Sequence, residues 1–590
     1  MAIRSEKTGV KARREKLGIA FSGGGLRASF FHIGVLAQMA RQGLLREVEV
    51  ISTVSGGSII GALYYLHVKG LLESKSDSDV TDGDYVEIIK RIELDFLKAV
   101  ENNIRMLTFA DSGVNLRVSK PDYSRSDRIA ELYDELIYQS VLSNVSTPAQ
   151  MRELKIFPRG SAPDFHPRKD NAQRRVKVPI LILNATTLNS GRNWHFTAQT
   201  MGEPRTPEND EIDRKIIRLR RPRPSYDNMV ERQQDFSLGH AVAASACVPG
   251  IFPPFSISDL YRDGDAEIRV QLVDGGVHDN QGIEGLLYED CTCFVVSDAA
   301  VQMDAENQPP TGSASVLLRT SSVLMDRVRT EGLRRLMETK GKQRVAFMHL
   351  REGLMIRQLA WINEKGDVAE PVSCIEASSQ DFGVDPQVQE KLASLRTDLD
   401  SFTEVEAYSL MLDAYLMSDS SLSRFRKQSK SPEIRGAKAV DVADWAFLKI
   451  APWMKNPSPE YLKQLDVAGF TFGKPLFLIP WLAIAVAAII VLLVVAVWPW
   501  LTALLTQSVP IYLILLAILF VVSDYFLPRL AKIFRFVEFL RAPVNAVKRV
   551  FGRVLIPFLG AYFVKFYLKF IDPLFLSRGR FEEFKRRSPH

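Results

Sequence analysis

The stretch KLGIAFSGGGLRASFFHIGVLAQMARQGLL, residues 16–45, decides the architecture. A short apolar run, LGIAF, fits a buried strand. Three glycines break it, and from about Leu26 the apolar residues recur at helical spacing. The same grammar repeats at once in VEVISTVSGGSIIGALYYLHV, residues 48–68, where a β-branched run meets a turn at Ser55-Gly56-Gly57 and an apolar helix follows. Further strands are predicted at 178–188, 270–276, 293–299 and 345–350, with helical patterns between them. Strands alternating with helices specify an α/β fold with a central, mostly parallel sheet. Polar, charge-rich stretches at about 72–84, 163–175 and 201–235 read as surface insertions. RTDLDSFTEVEAYSLMLDAYLM, residues 396–417, reads as a capped amphipathic helix closing the domain.

The 590 residues exceed one ordinary core, and 46% apolar with 24% charged residues excludes a mainly disordered chain. The net charge is +6, yet Arg529–His590 alone carries 14 Lys/Arg against 4 Asp/Glu, so the basic surplus belongs to the tail. That tail follows apolar sequence and lacks nucleic-acid motifs, which favours anionic lipid headgroups as its partner over nucleic acid. Cys247, Cys291, Cys293 and Cys374 sit mostly in apolar runs, as buried thiols do in a reducing compartment. The basic, polar N-terminus has no apolar core of a signal peptide.

From Pro475 to Ser523, 49 consecutive residues lack Asp, Glu, Lys and Arg. One straight helix of that length would measure about 74 Å, over twice a hydrocarbon core of roughly 30 Å, so two spans fit better. The break falls at 498–510. Lys474 before the first span, and Arg529, Lys532 and Arg535 after the second, place both flanks in the cytoplasm. The expected division is a basic N-terminal tail at 1–15, an acyl hydrolase domain at 16–418, a linker at 419–470, a two-span hairpin at 471–528, and a basic amphipathic membrane-interface tail at 529–590. Within that tail, 551–576 mixes aromatics with Lys and Arg and fits an interfacial helix better than a third insertion.

Three constellations carry chemistry. Gly23-Gly24-Gly25 before a helix can present main-chain N–H groups to an oxyanion or a bound anion. No G-x-x-x-x-G-K-[ST] or G-x-G-x-x-G occurs here, so the nucleotide-binding readings fail. Ser55 between strand and helix, followed by Gly56 and Gly57, meets the needs of a nucleophile elbow, although Thr53 stands where G-x-S-x-G has glycine. Ser52 and Ser58 are the rival nucleophiles. Asp274, at a strand end before Gly275 and Gly276, could take a serine proton. A triad would need His278 or a distant residue such as His240.

In this order and context, GGGLR, SGG after a β-branched strand, AVAASACVPGIFPPF (241–255) and VDGGVHDN resemble the patatin-like phospholipases, and the segment at 396–411 is similar to their bacterial members. The resemblance covers roughly Lys16–Met417. It implies a three-layer α/β fold to which the C-terminal α-helical membrane region is added. It implies Ser55 as nucleophile, Asp274 as its partner in a dyad without histidine, and Gly23, Gly24 and Gly25 as the oxyanion hole. Arg27 would steady the loop or an anionic substrate group, with Gly57, Gly275 and Gly276 in support. The resemblance also implies no metal or other cofactor, and a phospholipid or lysophospholipid substrate. A catalytically silent scaffold and a membrane-perturbing hairpin are the rival functions, and oligomeric state is left open.

Overall fold

The computed structural model describes residues 14–118, 123–141, 147–204, 222–300, 303, 305–354, 360–369, 382–442, 444–471, 473–506 and 556–589. The chain divides into two compact units. Unit 1 comprises Met1–Arg105, Arg125–Gly469 and Gly579–His590, and unit 2 comprises Met106–Ser124 and Phe470–Arg578.

Unit 1 is built on a sheet of β1 (Leu17–Phe21), β2 (Val48–Val54), β3 (Ile180–Thr187), β4 (Asn193–Phe196), β5 (Met201–Gly202), β6 (Phe255–Asp263), β7 (Ala266–Asp274), β8 (Cys293–Asp298) and β9 (Val345–His349). Its order is β5-β4-β3-β2-β1-β8-β9, with β7 pairing β3 and β6. Strands β1, β2, β3, β8 and β9 run parallel, and every residue of β1, β2 and β8 is buried, as helices on both faces of a sheet require. The sheet is mixed rather than mostly parallel, because β4, β5, β6 and β7 join antiparallel. The β3–β4, β4–β5 and β6–β7 connections are short enough to need no crossover helix, and the strand periodicity that located β7 carries no information about its direction.

That antiparallel part creates the site. β2 pairs β3 up to Val54↔Asn184, and β7 pairs β3 from Ala185↔Asp274 onward, while β4 occupies the other edge of β3. Two strands running in opposite directions therefore share one edge and end nose to nose. Ser55 follows the end of one, and Asp274 is the end of the other.

The layers are α1 (Gly25–Arg41), α2 (Gly56–Ser74), α3 (Asp82–Val100), α4 (Leu238–Ser245), α5 (Ser313–Lys340) and α6 (Glu404–Gln428). The helix expected over 396–417 begins only at Glu404. Thr403 caps it in a reciprocal box with Glu406, and Arg396 is buried against Asp400 and Glu406, so RTDLDSF is a loop tied down by ion pairs. The expected linker at 419–470 is also folded, with Trp445, Phe447, Trp453 and Tyr461 buried in unit 1. Gly579–Ser588 belongs there too. Phe581 and Phe584 pack edge-to-face with Trp453, whose indole N–H donates to Ser588 O at 3.0 Å, so this piece of the basic tail is a domain segment and not a membrane-interface helix.

In unit 2, α7 (Pro480–Thr506) is a 27-residue helix without a charged side chain, and Met106, Ala110, Val564 and Tyr567 form a small apolar cluster. Side chains at 480, 490, 493, 497 and 500–506 are outside the described set. Among the described residues no helix is long and apolar enough to cross a membrane. The expected second span and residues 529–555 also lie outside the described residues, as do residues 1–13.

Candidate active site

Ser55 sits at the junction of β2 and α2 with φ 51° and ψ −119°. A β-carbon in that region clashes with its own backbone, at a typical cost of about 1–3 kcal/mol, so the surroundings must impose the bend. They do so through close approach. A β-carbon on Gly56 would collide with the main chain of Gly25, and one on Gly57 would come within 2.5 Å of Phe21 O. Only hydrogen at both positions lets α2 start against the β1–α1 turn.

A chain of hydroxyls holds the bend from beneath. Ser245 Oγ, on α4, accepts the Ser55 N–H at 3.0 Å and donates to Asn184 O at 2.6 Å. With its hydrogen so used, it accepts from Ser58 Oγ at 2.8 Å, which in turn lies 2.9 Å from Thr53 Oγ1. Thr53 thus has a polar function, and its methyl fits because Gly61 faces it, where a β-carbon would lie 2.5 Å away. Ser58 is fully buried in this chain. Ser52 is buried as well and accepts from Asn184 Nδ2 at 3.0 Å. Neither rival hydroxyl faces open space.

Asp274 is 4% exposed and Ser55 6%. The Asp274 N–H donates to Cys247 O at 2.8 Å, and the Gly275 N–H to Ser245 O at 3.2 Å, so the 241–255 segment braces both residues. Asp274 Oδ1 accepts the Gly276 N–H at 2.7 Å. Its Oδ2 is buried with no hydrogen-bond partner. Burial pushes this carboxyl up to about 6, opposed by the Ser55 hydroxyl and the Gly276 amide. The Ser55 hydroxyl therefore lies in electrostatic reach of the carboxyl, though no hydrogen bond of full geometry joins them.

The glycine turn lies beside this pair, and a β-carbon on Gly23 would sit 3.2 Å from Ser55 Cβ. Its amides are not equivalent. Gly23 N–H donates to Asn280 O at 3.0 Å, whereas those of Gly24 (φ 132°) and Gly25 (φ 57°) have no acceptor among the described residues. Both lie at the N-terminus of α1, whose dipole favours negative charge. Arg27 is buried and donates to Ala393, Leu395 and Ala299 carbonyls at 2.8–2.9 Å, so it fastens the loop. None of the described histidines hydrogen-bonds Ser55 or Asp274. His278 faces Glu284 at 3.3 Å, and His240 pairs with Ser237. Among the described residues no group of three or more His, Cys, Asp or Glu could hold a metal ion.

The sequence reading did not single out Ser245, Asn184 or Asn280. Ser245 lies in the AVAASACVPG run and Asn280 in VDGGVHDN, both quoted above for other reasons; Asn184 looks like any polar residue in a strand.

Residues 19–287 match the family model for patatin-like phospholipase. No curated protein matches the chain. Among solved structures, human GIVD cytosolic phospholipase A2, in complex with methyl γ-linolenyl fluorophosphonate and terbium chloride, is 14% identical over 72% of this chain, with a TM-score of 0.31. VipD from Legionella pneumophila is 12% identical over 96% of this chain and 88% of its own, with a TM-score of 0.26. The chain spans 59% of the human phospholipase chain. At these TM-scores neither likeness bears on the site.

Proposed function

With residues 19–287 forming a domain of the patatin-like phospholipase family, we propose that this chain is a lipid acyl hydrolase of the phospholipase A or lysophospholipase type, using Ser55 as nucleophile and Asp274 as general base, and anchored in a membrane through its C-terminal apolar region. One observation carries the reading: a serine held at positive φ beside a buried carboxyl with one unpartnered oxygen.

In the reaction, the Asp274 carboxylate takes the Ser55 proton as Oγ bonds to the ester carbonyl carbon. The carbonyl oxygen becomes an alkoxide, to which the Gly24 and Gly25 N–H groups donate. The C–O bond to the leaving alcohol then breaks, and Asp274 returns the proton to that alcohol. Water, deprotonated by the same carboxylate, attacks the acyl carbon, releasing fatty acid and restoring Ser55. An ordinary aspartate is a weak base at neutral pH, and burial strengthens this one. The loose contact between hydroxyl and carboxyl is usual for a site without substrate. Thr53, the one departure from the elbow pattern, gives the silent-scaffold alternative its motive; its place in the hydroxyl chain beneath Ser55 supports the catalytic reading.

Anchoring draws support from the chain path. Arg125–Gly469 and Gly579–His590 belong to the same unit, which an even number of crossings between them would allow. The uncharged run from Pro475 to Ser523 supports insertion, and under the positive-inside rule Lys474 before it and Arg529, Lys532 and Arg535 after it favour the cytoplasm for both flanks.

The test is fluorophosphonate labelling of detergent-solubilised protein, with fatty acid release from phospholipid vesicles. Labelling and release are both expected in the wild type, and both are expected to vanish in Ser55→Ala. Labelling that persists in Ser55→Ala would place the nucleophile elsewhere.

A further inference from the structure

α5 joins β8 to β9 and is far longer than that task requires. Its 28 residues span about 42 Å, whereas a six-residue strand covers roughly 20 Å. Its C-terminal part is fixed, since Leu336 is buried with Ala20, Val50 and Val345. Further up, Arg329 reaches Asp298, the last residue of β8, at 3.3 Å. The residues before Arg329 therefore extend past the carboxyl ends of the parallel strands, and no described side chain in Ser313–Val328 is buried.

The projecting half has the wrong side out for a water-soluble helix. Asp326 and Arg329 pair with each other, Arg329 also with Asp298, and Arg319 pairs with Glu306, all on one side. On the other side Val316, Leu317, Val323, Leu324 and Val328 form a stripe at helical spacing, each 40–72% exposed. A second apolar element rises after β9. It is the hairpin of β10 (Trp361–Ile362) and β11 (Val368–Ala369), where Trp361, Ile362 and Val368 are 54–73% exposed. α5 rises past the carboxyl ends of the strands, the edge that carries Ser55 and the glycine turn. α5 also lies against Gly276–Asp279, the turn directly after Asp274.

Resting on the hydrolase reading, we propose that the projecting half of α5, together with the β10–β11 hairpin, is a lipid-docking surface that seats the catalytic edge on a bilayer. The chemistry fits a lipid surface better than a protein partner. In the projecting half the charged residues are Arg319, Asp326 and Arg327, and exposed Arg327 lies within the arc of the stripe, where its long side chain can reach up to anionic headgroups around an apolar insertion. Trp361, which pairs with Ala369 at the open end of the hairpin and is 54% exposed, is the side chain most at home at that boundary. The substrate lies in the same surface, and with Ser55 and Asp274 almost closed off, an ester must be delivered to the edge past which α5 extends.

The test uses the full chain in detergent and reconstituted into phosphatidylcholine–phosphatidylglycerol vesicles, with Leu317→Asp/Leu324→Asp and Ile362→Asp as variants. Hydrolysis of vesicle phospholipid is expected to fall by at least about tenfold, while hydrolysis of a short, soluble ester stays at the wild-type rate. In parallel, an environment-sensitive fluorophore on a cysteine at position 324 should shift to the blue with vesicles. Equal loss on both substrates would assign α5 a role in shaping the site and overturn the proposal. So would unchanged vesicle hydrolysis, or a fluorophore that shifts only when two copies associate in detergent. Absence of soluble-ester hydrolysis in the wild type would instead defeat the hydrolase reading.

Discussion

Asp274 carries two opposed demands. Its carboxyl is raised from 3.8 to about 6 by burial, so the native state holds the proton more tightly than the unfolded chain. The sign follows directly: that preference stabilises the fold at low pH and is lost as pH rises from about 4 to about 6, leaving an ionised, buried group that costs about 3 kcal/mol at most. Asp274→Asn should therefore abolish turnover and yet melt higher than the wild type above about pH 7, the difference closing near pH 4; calorimetry across that range checks it. Catalysis should follow the ionised form, with kcat/KM for a soluble ester falling about tenfold per pH unit below about pH 6. Ser245→Ala removes the acceptor of the Ser55 N–H and should lower kcat with little change in KM, at a stability cost of about 1–3 kcal/mol seen in urea titration. Ser55 and Asp274 were legible in the sequence because glycines flank both, and crowded backbone leaves a visible mark. Ser245 and Asn184 left none, because their hydrogen bonds cross about 60 to 190 residues of chain.

At the level of elements, two strand-turn-helix units announced the parallel core, since buried parallel strands are short, β-branched and uninterrupted. β6 and β7 behave differently: β6 and the first half of β7 are partly exposed, so their pattern fixes a strand without fixing its direction or partner. α3 was hidden for a related reason. Its capping box, Thr81 with Asp84, falls inside a polar stretch that reads as an insertion until the buried face beginning at Tyr85 is recognised. Gly56→Ala tests the close approach on which the elbow depends. With a β-carbon against the Gly25 main chain and no flexible side chain to yield, the variant should lose several kcal/mol and fail to accumulate as folded protein, seen as protease sensitivity.

On the scale of the whole molecule, the closing segment Gly579–Ser588 is the feature the sequence obscured most. Its Arg and Lys residues suggested lipid headgroups, but the two phenylalanines between them decide its place. Phe584 is 1% exposed, and Phe584→Ala should destabilise unit 1 by about 3 kcal/mol, lowering its melting temperature although the change lies far in sequence from Ser55 and Asp274.

That return has a consequence for biosynthesis. A ribosome makes the glycine turn, the elbow and Asp274 first, then the long uncharged stretch, and only afterwards the strip that completes the hydrophobic seat around Trp453. Until Gly579–Ser588 has been made, unit 1 lacks the residues that pack on Trp453, so completion of that unit waits on a segment translated long after the one that carries Ser55 and Asp274.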